Sequence, residues 1–240
     1  MEQNGIWHEE WAIPSFMIGN NQQMNLTAVC NILQNTAGLH ARFRGLGFEE
    51  MQQKGHVWIL NRIKVEMNHF PAWCDKIQVQ SWVSSMRGPF SDRHFTLQNE
   101  SGEIIGSAST FWVAVNVASR KPARVVSSEI PVLADKLPLC GKSAKLPTIT
   151  EFEHSTDYQA KYSDLDMVGH VNNVKYMEWM VDHLFGIEGD FRPLKLEMNF
   201  VSETLFGEKV VIKSKRLEEG FACVVLKQKD GTVVCRGQIA

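Results

Sequence analysis

The sequence predicts an α+β fold built twice in tandem. A strand-like segment recurs: "IKVEMN" at residues 63–68 returns as "LKLEMN" at 194–199, and both copies alternate apolar and polar residues, as a half-buried strand requires. A hairpin recurs as well. "FTLQNESGEIIGSA" from Phe95 matches "VVLKQKDGTVVCRG" from Val224, with Gly102 and Gly231 at equivalent Ser-Gly and Asp-Gly turns. One helical stretch precedes each strand set: Leu26, Val29, Ile32 and Leu33 in the first copy, and Val174, Met177, Val181 and Leu184 in the second, fall at helical spacing. Helices segregated from antiparallel strands define the α+β class.

Each repeated strand leads into another alternating segment, "DKIQVQSWV" in the first half and "EKVVIKSKR" in the second. Between the halves the alternation fades at "CGKSAKLPTIT", residues 140–150, where Gly, Ser, Lys and Pro accumulate as in a linker. The expected domains are therefore 1–145 and 146–240. A chain of 240 residues with 44% hydrophobic content can bury a sizeable core. A net charge of −2 argues against a general nucleic-acid binder, which must neutralise many phosphates. The opening "MEQNGIWHEEWAIPSF" carries acids where a signal peptide would be basic, and no stretch approaches the roughly 18 apolar residues of a membrane span. A soluble, cytosolic protein with no membrane span is expected. Five scattered cysteines without a C-x-x-C pair suggest free thiols, with neither a disulfide framework nor a zinc site.

The stretch "YSDLDMVGHVNNVKYMEW", residues 162–179, concentrates chemistry. Asp166 and His170 flank Gly169, and "HVNN" runs directly into the second helix, so unpaired backbone N–H groups should face the loop. Asp166 or Asn172 could simply cap that helix. The duplication discriminates: a gap-free alignment of the two helices sets Gly19 opposite Asp166, Asn21 opposite Val168 and Gln23 opposite His170. Cap chemistry alone should persist in both halves, whereas the charged pair occurs in one. A single active site in the second half is expected.

That stretch resembles the signature of the acyl-acyl carrier protein (ACP) thioesterases, and "NILQNTAGLHA", "WVAVNVASRKPARV" and "LEMNFVSETLFGEKV" extend the likeness over nearly the whole chain. The resemblance implies a double hotdog, two tandem units each with a long helix wrapped by a curved antiparallel sheet. It also implies hydrolysis of fatty acyl-ACP to free fatty acid and holo-ACP, terminating fatty acid synthesis, with no metal or bound cofactor. The first half would supply the acyl pocket and the second the catalytic residues. Residue by residue, the family's catalytic aspartate falls on Asp166, its catalytic histidine on His170, and a water-activating strand glutamate on Glu203. Thr204 stands where some members carry a cysteine. Val168 replaces a family asparagine and can neither donate nor accept a hydrogen bond. Two alternatives therefore stay open: hydrolysis of acyl-coenzyme A, and acyl binding without turnover.

Thioester hydrolysis needs a base or nucleophile, donors for the carbonyl oxygen, and an apolar slot. Asp166, His170 and Glu203 address the first need, and Gly169, Asn172 and Asn173 are expected to support the loop or the substrate carbonyl. Basic residues Arg120, Lys121 and Arg124 in "ASRKPAR", with Lys175, are candidate docking points for an acidic ACP. A monomer or a homodimer is expected, since two units are already paired in one chain.

Other signals are weaker. "CGKS" lacks the first glycine of a phosphate-binding loop, and "NHFPAW" matches the His-Phe-Pro of hotdog dehydratases without their following glycine. His69 is read as a strand exit. Asp92 and His94 are read as a polar pair on one strand face, and Trp58, Trp82 and Trp112 as core residues.

Overall fold

The computed structural model describes residues 1–125 and 130–240. The chain forms two compact units, Met1–Ser143 and Ala144–Ala240. In the first, strands β1 (Glu2–Gln3) and β2 (Ile6–Ala12) precede helix α1 (Leu26–Phe43) and a short helix α2 (Phe48–Gln53). Strands β3 (His56–Met67), β4 (Lys76–Arg87), β5 (Phe90–Asn99) and β6 (Ile104–Asn116) follow. The second unit contains β7 (His154–Gln159), α3 (Asn173–Glu188), β8 (Lys195–Phe200), β9 (Lys209–Arg216), β10 (Phe221–Lys227) and β11 (Val233–Ile239).

The named strands of each unit pair antiparallel, and the strand orders correspond. In the first unit the sheet runs β1-β2-β4-β5-β6-β3; in the second it runs β7-β9-β10-β11-β8. The equivalent hairpin glycines Gly102 and Gly231 take φ of +82° and +72°, conformations that an L side chain rarely adopts.

Each long helix begins at an asparagine cap. Asn25 Oδ1 accepts the Ala28 N–H at 2.8 Å, and Asn172 Oδ1 accepts the Val174 N–H at 2.9 Å. Helix α1 buries Val29, Cys30, Ile32, Leu33, Ala37 and His40 and packs on β4. Helix α3 buries Val174, Tyr176, Met177, Trp179, Met180 and Leu184 and packs on β9. Val181 stays half-buried, because the apolar stripe turns towards Tyr176 and Trp179. The α3 residue Met180 lies over Gly237 of β11, where a β-carbon would come within 2.9 Å of its sulfur. Glycine there permits the close approach of helix to sheet.

Polar chemistry inside the first unit escaped the sequence reading. Glu2 accepts from Arg44 Nε at 2.7 Å and lies 3.3 Å from His40 Nε2; His40 Nδ1 meets Arg93 Nη1 at 2.7 Å, and Arg93 donates to Ser81 Oγ at 2.9 Å. Trp7 stacks on His40 with ring centroids 5.7 Å apart. The polar partner of His94 is Ser84, with Oγ 2.6 Å from His94 Nε2. A register shift between Val83 and Ser85 brings it there, which strict strand alternation could not foretell. Asp92 itself pairs with Lys142 at 3.7 Å. Trp82 is fully buried, whereas Trp58 and Trp112 are half-buried. His69 is exposed just beyond β3. The five cysteines are free, and Cys74 is the exposed one.

Candidate active site

The loop between β7 and α3 is a tight, two-sided turn. A 3-10 turn over Tyr162–Asp164 enters it. The Asp166 N–H then donates to the His170 carbonyl at 2.8 Å, and the Gly169 N–H to the Asp166 carbonyl at 3.1 Å. Gly169 has φ +82°, which closes the turn without the strain a side chain would add. The Asp166 carboxylate serves the same turn: Oδ1 accepts the N–H groups of Val168 at 3.0 Å and His170 at 3.2 Å. Helix capping belongs to Asn172, so Asp166 is not the cap.

Glu203 comes to this loop through tertiary pairing. His170 forms an antiparallel bridge with Leu205, and the Val171 N–H donates to the Thr204 carbonyl at 2.9 Å. His170 Nδ1 consequently lies 3.4 Å from Glu203 Oε2, with the two side chains 34% and 38% exposed. Histidine and glutamate are thus adjacent, reachable by solvent, and attached to the loop that Asp166 organises. Thr204 is fully buried, so it offers no accessible nucleophile. An apolar rim of Met167, Val168, Leu205 and Phe206 is exposed beside the pair.

One expectation needs correction. The N–H groups of Val168, Gly169, His170, Val171 and Asn172 are all consumed by protein acceptors, because the turn satisfies itself. Gly169 and Asn172 therefore shape the loop and do not present amides to a substrate carbonyl. Asn173 occupies the first position of α3 and is half-buried; its backbone N–H is not among those the loop consumes.

The first unit provides an internal control. There the Gly19 N–H donates to the Gln23 carbonyl at 2.9 Å, the Gln22 N–H to Gly19 at 3.0 Å, and the Met24 N–H to Pro71 at 2.8 Å. Gln23 bridges Ala72 as His170 bridges Leu205. Gly19, Gln23 and Phe70 therefore occupy the places of Asp166, His170 and Glu203. The same backbone is built with no titratable side chain at any of the three positions. Asn21, in the place of Val168, accepts the Gln23 N–H at 3.2 Å, a bond that Asp166 supplies in the second unit.

The basic candidates are separate features. Arg120, Lys121 and Arg124 are exposed in the turn after β6, with Arg120 at φ +55°. Lys175 is half-buried and paired with Glu178 at 2.7 Å. A cavity of about 80 Å³ lies in the second unit among Leu146, Phe152, Cys223 and Gly237, none of which belongs to the 166–170 loop. Among the described residues no group of three or more His, Cys, Asp and Glu could hold a metal, and no helix is long and apolar enough to cross a membrane.

Comparison with known proteins follows the same division. Residues 4–131 match the acyl-ACP thioesterase N-terminal domain and residues 148–240 its C-terminal domain. The chain is 33% identical over 195 residues to a chloroplastic palmitoyl-acyl carrier protein thioesterase of Gossypium hirsutum, covering 74% of this chain and 46% of that protein. It is 29% identical over 194 residues to a chloroplastic dodecanoyl-[acyl-carrier-protein] hydrolase of Cinnamomum camphora, covering 74% and 50%. The chain spans about half the length of the curated relatives it matches. Among solved structures, an acyl-ACP thioesterase from Bacteroides thetaiotaomicron superimposes with a TM-score of 0.88 at 31% identity, covering 98% of this chain and 97% of that one. The 12:0-ACP thioesterase from Umbellularia californica shares the fold with a TM-score of 0.82 at 19% identity, covering 100% and 98%.

Proposed function

Because this double-hotdog chain belongs to the acyl-ACP thioesterase family, we propose that it hydrolyses fatty acyl-ACP to free fatty acid and holo-ACP, using Asp166, His170 and Glu203. The observation that carries this reading is the pairing of His170 Nδ1 with Glu203 Oε2 at 3.4 Å, in a loop whose twin in the first unit carries Gln23 opposite Phe70.

In this reading Glu203 takes a proton from water as the water oxygen bonds to the thioester carbon. The carbon–sulfur bond then breaks as the carbonyl re-forms, and the pantetheine sulfur leaves as the thiol with the proton that Glu203 held. His170 orients the water and the thioester, and the Asp166 carboxylate holds the His170 backbone in place through its N–H. The Asn173 N–H, outside the bonds that close the loop, is the donor offered to the carbonyl oxygen as negative charge develops there, an interaction typically worth about 3 kcal/mol. The exposed rim of Met167, Val168, Leu205 and Phe206 suits an apolar acyl and pantetheine approach.

The test is release of free fatty acid by the purified chain from acyl-ACP substrates spanning C8 to C18, with acyl-coenzyme A of equal chain length in parallel. Release from acyl-ACP is the expected outcome. Binding of acyl groups without release would reverse the reading and assign the loss to Val168.

The exposed Arg120, Lys121 and Arg124 are proposed to meet the acidic carrier. Charge reversal by R120E with R124E should lower kcat/KM for acyl-ACP by roughly tenfold at low salt, and less at high salt, while sparing short acyl-pantetheine substrates. An unchanged kcat/KM for acyl-ACP would remove this turn from the docking surface.

A further inference from the structure

A second acid in the site stretch, Asp164, has no part in the chemistry proposed above. It is 4% exposed. Its Oδ2 accepts the Lys161 N–H at 2.7 Å and the Tyr158 hydroxyl at 3.4 Å, and its carbonyl accepts the Asn172 N–H at 2.9 Å. One residue thereby ties the last strand residues before the loop, the 3-10 turn and the cap of α3. Beneath it Tyr158 lies against Trp179 of α3, with ring centroids 4.4 Å apart, and Trp179 meets Tyr176 at 5.1 Å. Burial, and next the Asp164 charge, push the Tyr158 phenol up, so Tyr158 keeps its proton and remains a donor.

Again the first unit shows what the backbone alone requires. Its 3-10 turn over Ser15–Met17 has Met17 in the place of Asp164 and Pro14 in the place of Lys161. The backbone bonds match: the Met17 N–H to Pro14 at 3.1 Å, the Ile18 N–H to Ser15 at 3.1 Å, and the Asn25 N–H to Met17 at 3.2 Å. In the second unit the corresponding bonds are the Asp164 N–H to Lys161 at 3.1 Å, the Leu165 N–H to Tyr162 at 3.2 Å, and the Asn172 N–H to Asp164 at 2.9 Å. The turn thus forms without any carboxylate. Pro14 has no N–H to satisfy, so Met17 can be apolar; Lys161 has one, and Asp164 takes it. That account covers the Lys161 bond but not the Tyr158 hydroxyl, nor the costly choice of a buried carboxylate where proline and methionine suffice.

We infer that Asp164 is a positioning residue for hydrolysis: by clamping Lys161 and Tyr158 from below, it stiffens the loop that carries Asp166 and His170. This inference rests on the hydrolase reading of that loop. Supporting contacts of this kind matter because a reacting group misplaced by about 1 Å can lose roughly a hundredfold in rate.

Three variants test it. D164M removes the clamp; D164N retains an acceptor for both partners; and K161P with D164M rebuilds the turn of the first unit. In the double variant, thermal stability should equal or exceed that of D164M, while kcat falls by roughly tenfold to a hundredfold and KM stays within about twofold. D164N should recover kcat to within about threefold of wild type. Amide exchange at Val168 and His170 should accelerate in both methionine variants and remain slow in D164N. Wild-type kcat and exchange in the double variant would show that the carboxylate serves only the Lys161 N–H and would overturn the inference. So would a D164N as impaired as D164M, or a double variant that fails to fold. A wild-type chain that releases no fatty acid would instead strike at the hydrolase reading, and the exchange measurement would still decide the role of Asp164.

Discussion

H170A and E203Q are each expected to lower kcat for acyl-ACP by about 10²–10⁴-fold while leaving the melting temperature close to that of wild type. The large kinetic effect is what the proposed proton transfer requires, since a glutamine in place of Glu203 cannot take the water's proton. The small effect on stability follows from exposure, since the two side chains are 34% and 38% exposed and 3.4 Å apart, and an ion pair in water contributes at most about 1 kcal/mol. If the two residues act as one unit, the double variant should be little worse than either single variant. Steady-state hydrolysis paired with thermal melting checks all three statements. Additive losses would mean that histidine and glutamate serve separate steps, and a fully active E203Q would remove Glu203 from the mechanism. D166A should also lose activity, but through the loop. Its carboxylate accepts the Val168 and His170 N–H groups, so amide exchange across 168–170 should quicken in that variant and not in H170A.

The greatest loss of stability is expected in the first unit, at Glu2. Arg93 and His40 are buried, and Arg44 closes the ring around the Glu2 carboxylate. Burial works against the Glu2 charge, but the Arg44 hydrogen bonds and charge, helped by His40, outweigh it and hold its pKa below the usual range. Removing one member of a buried charge network strands its partners, so E2Q should cost about 3–5 kcal/mol in denaturant unfolding. Acid should act in the same direction. Burial, then the charge of Arg93, depresses His40 to about 3, and burial, then Lys142, depresses His94 to about 4, from an ordinary 6.5. Both are neutral in the folded chain and would take protons readily once unfolded, so the stability they contribute is complete above pH 6.5. It declines as pH falls from there towards 3 to 4; for His94 the shift corresponds to about 3 kcal/mol. Glu2 adds to the acid loss at the lower end, because its depressed pKa stabilises the fold only while it is ionised. A stability profile flat from pH 7 to 4 would contradict the buried-neutral histidines.

The correspondence of Gly19 with Asp166 and Gln23 with His170 emerges from a gap-free alignment of the two helices, and the structure gives the same correspondence through matched bridges and turn bonds. It was legible because the turn and its asparagine-capped helix form one short continuous segment. Phe70 as the counterpart of Glu203 was not legible in this way, since it depends on how a distant strand exit pairs with the loop. The supposed amide donors failed for a related reason: helix ends leave N–H groups open in general, but the Asp166 side chain and the Thr204 and Asp164 carbonyls had already taken them. Ser84 reached His94 through a bulge, and Asp164 looked like one more polar loop residue until its burial was known.

From the sequence alone came the duplication, the α+β class, a long helix ahead of the main strand set in each half, and the concentration of acid and histidine in one of two otherwise equivalent turns. These follow from residue spacing, because apolar periodicity, turn glycines and helix caps act over a few neighbouring residues. Tertiary structure alone decided that Glu203 stands against His170, that Asp164 and Tyr158 underpin the loop, and that Glu2, His40, Arg44 and Arg93 share one buried network. Those contacts join residues far apart in the chain, and their energies depend on burial and on which neighbour supplies each hydrogen bond, quantities that exist only once the sheets have formed.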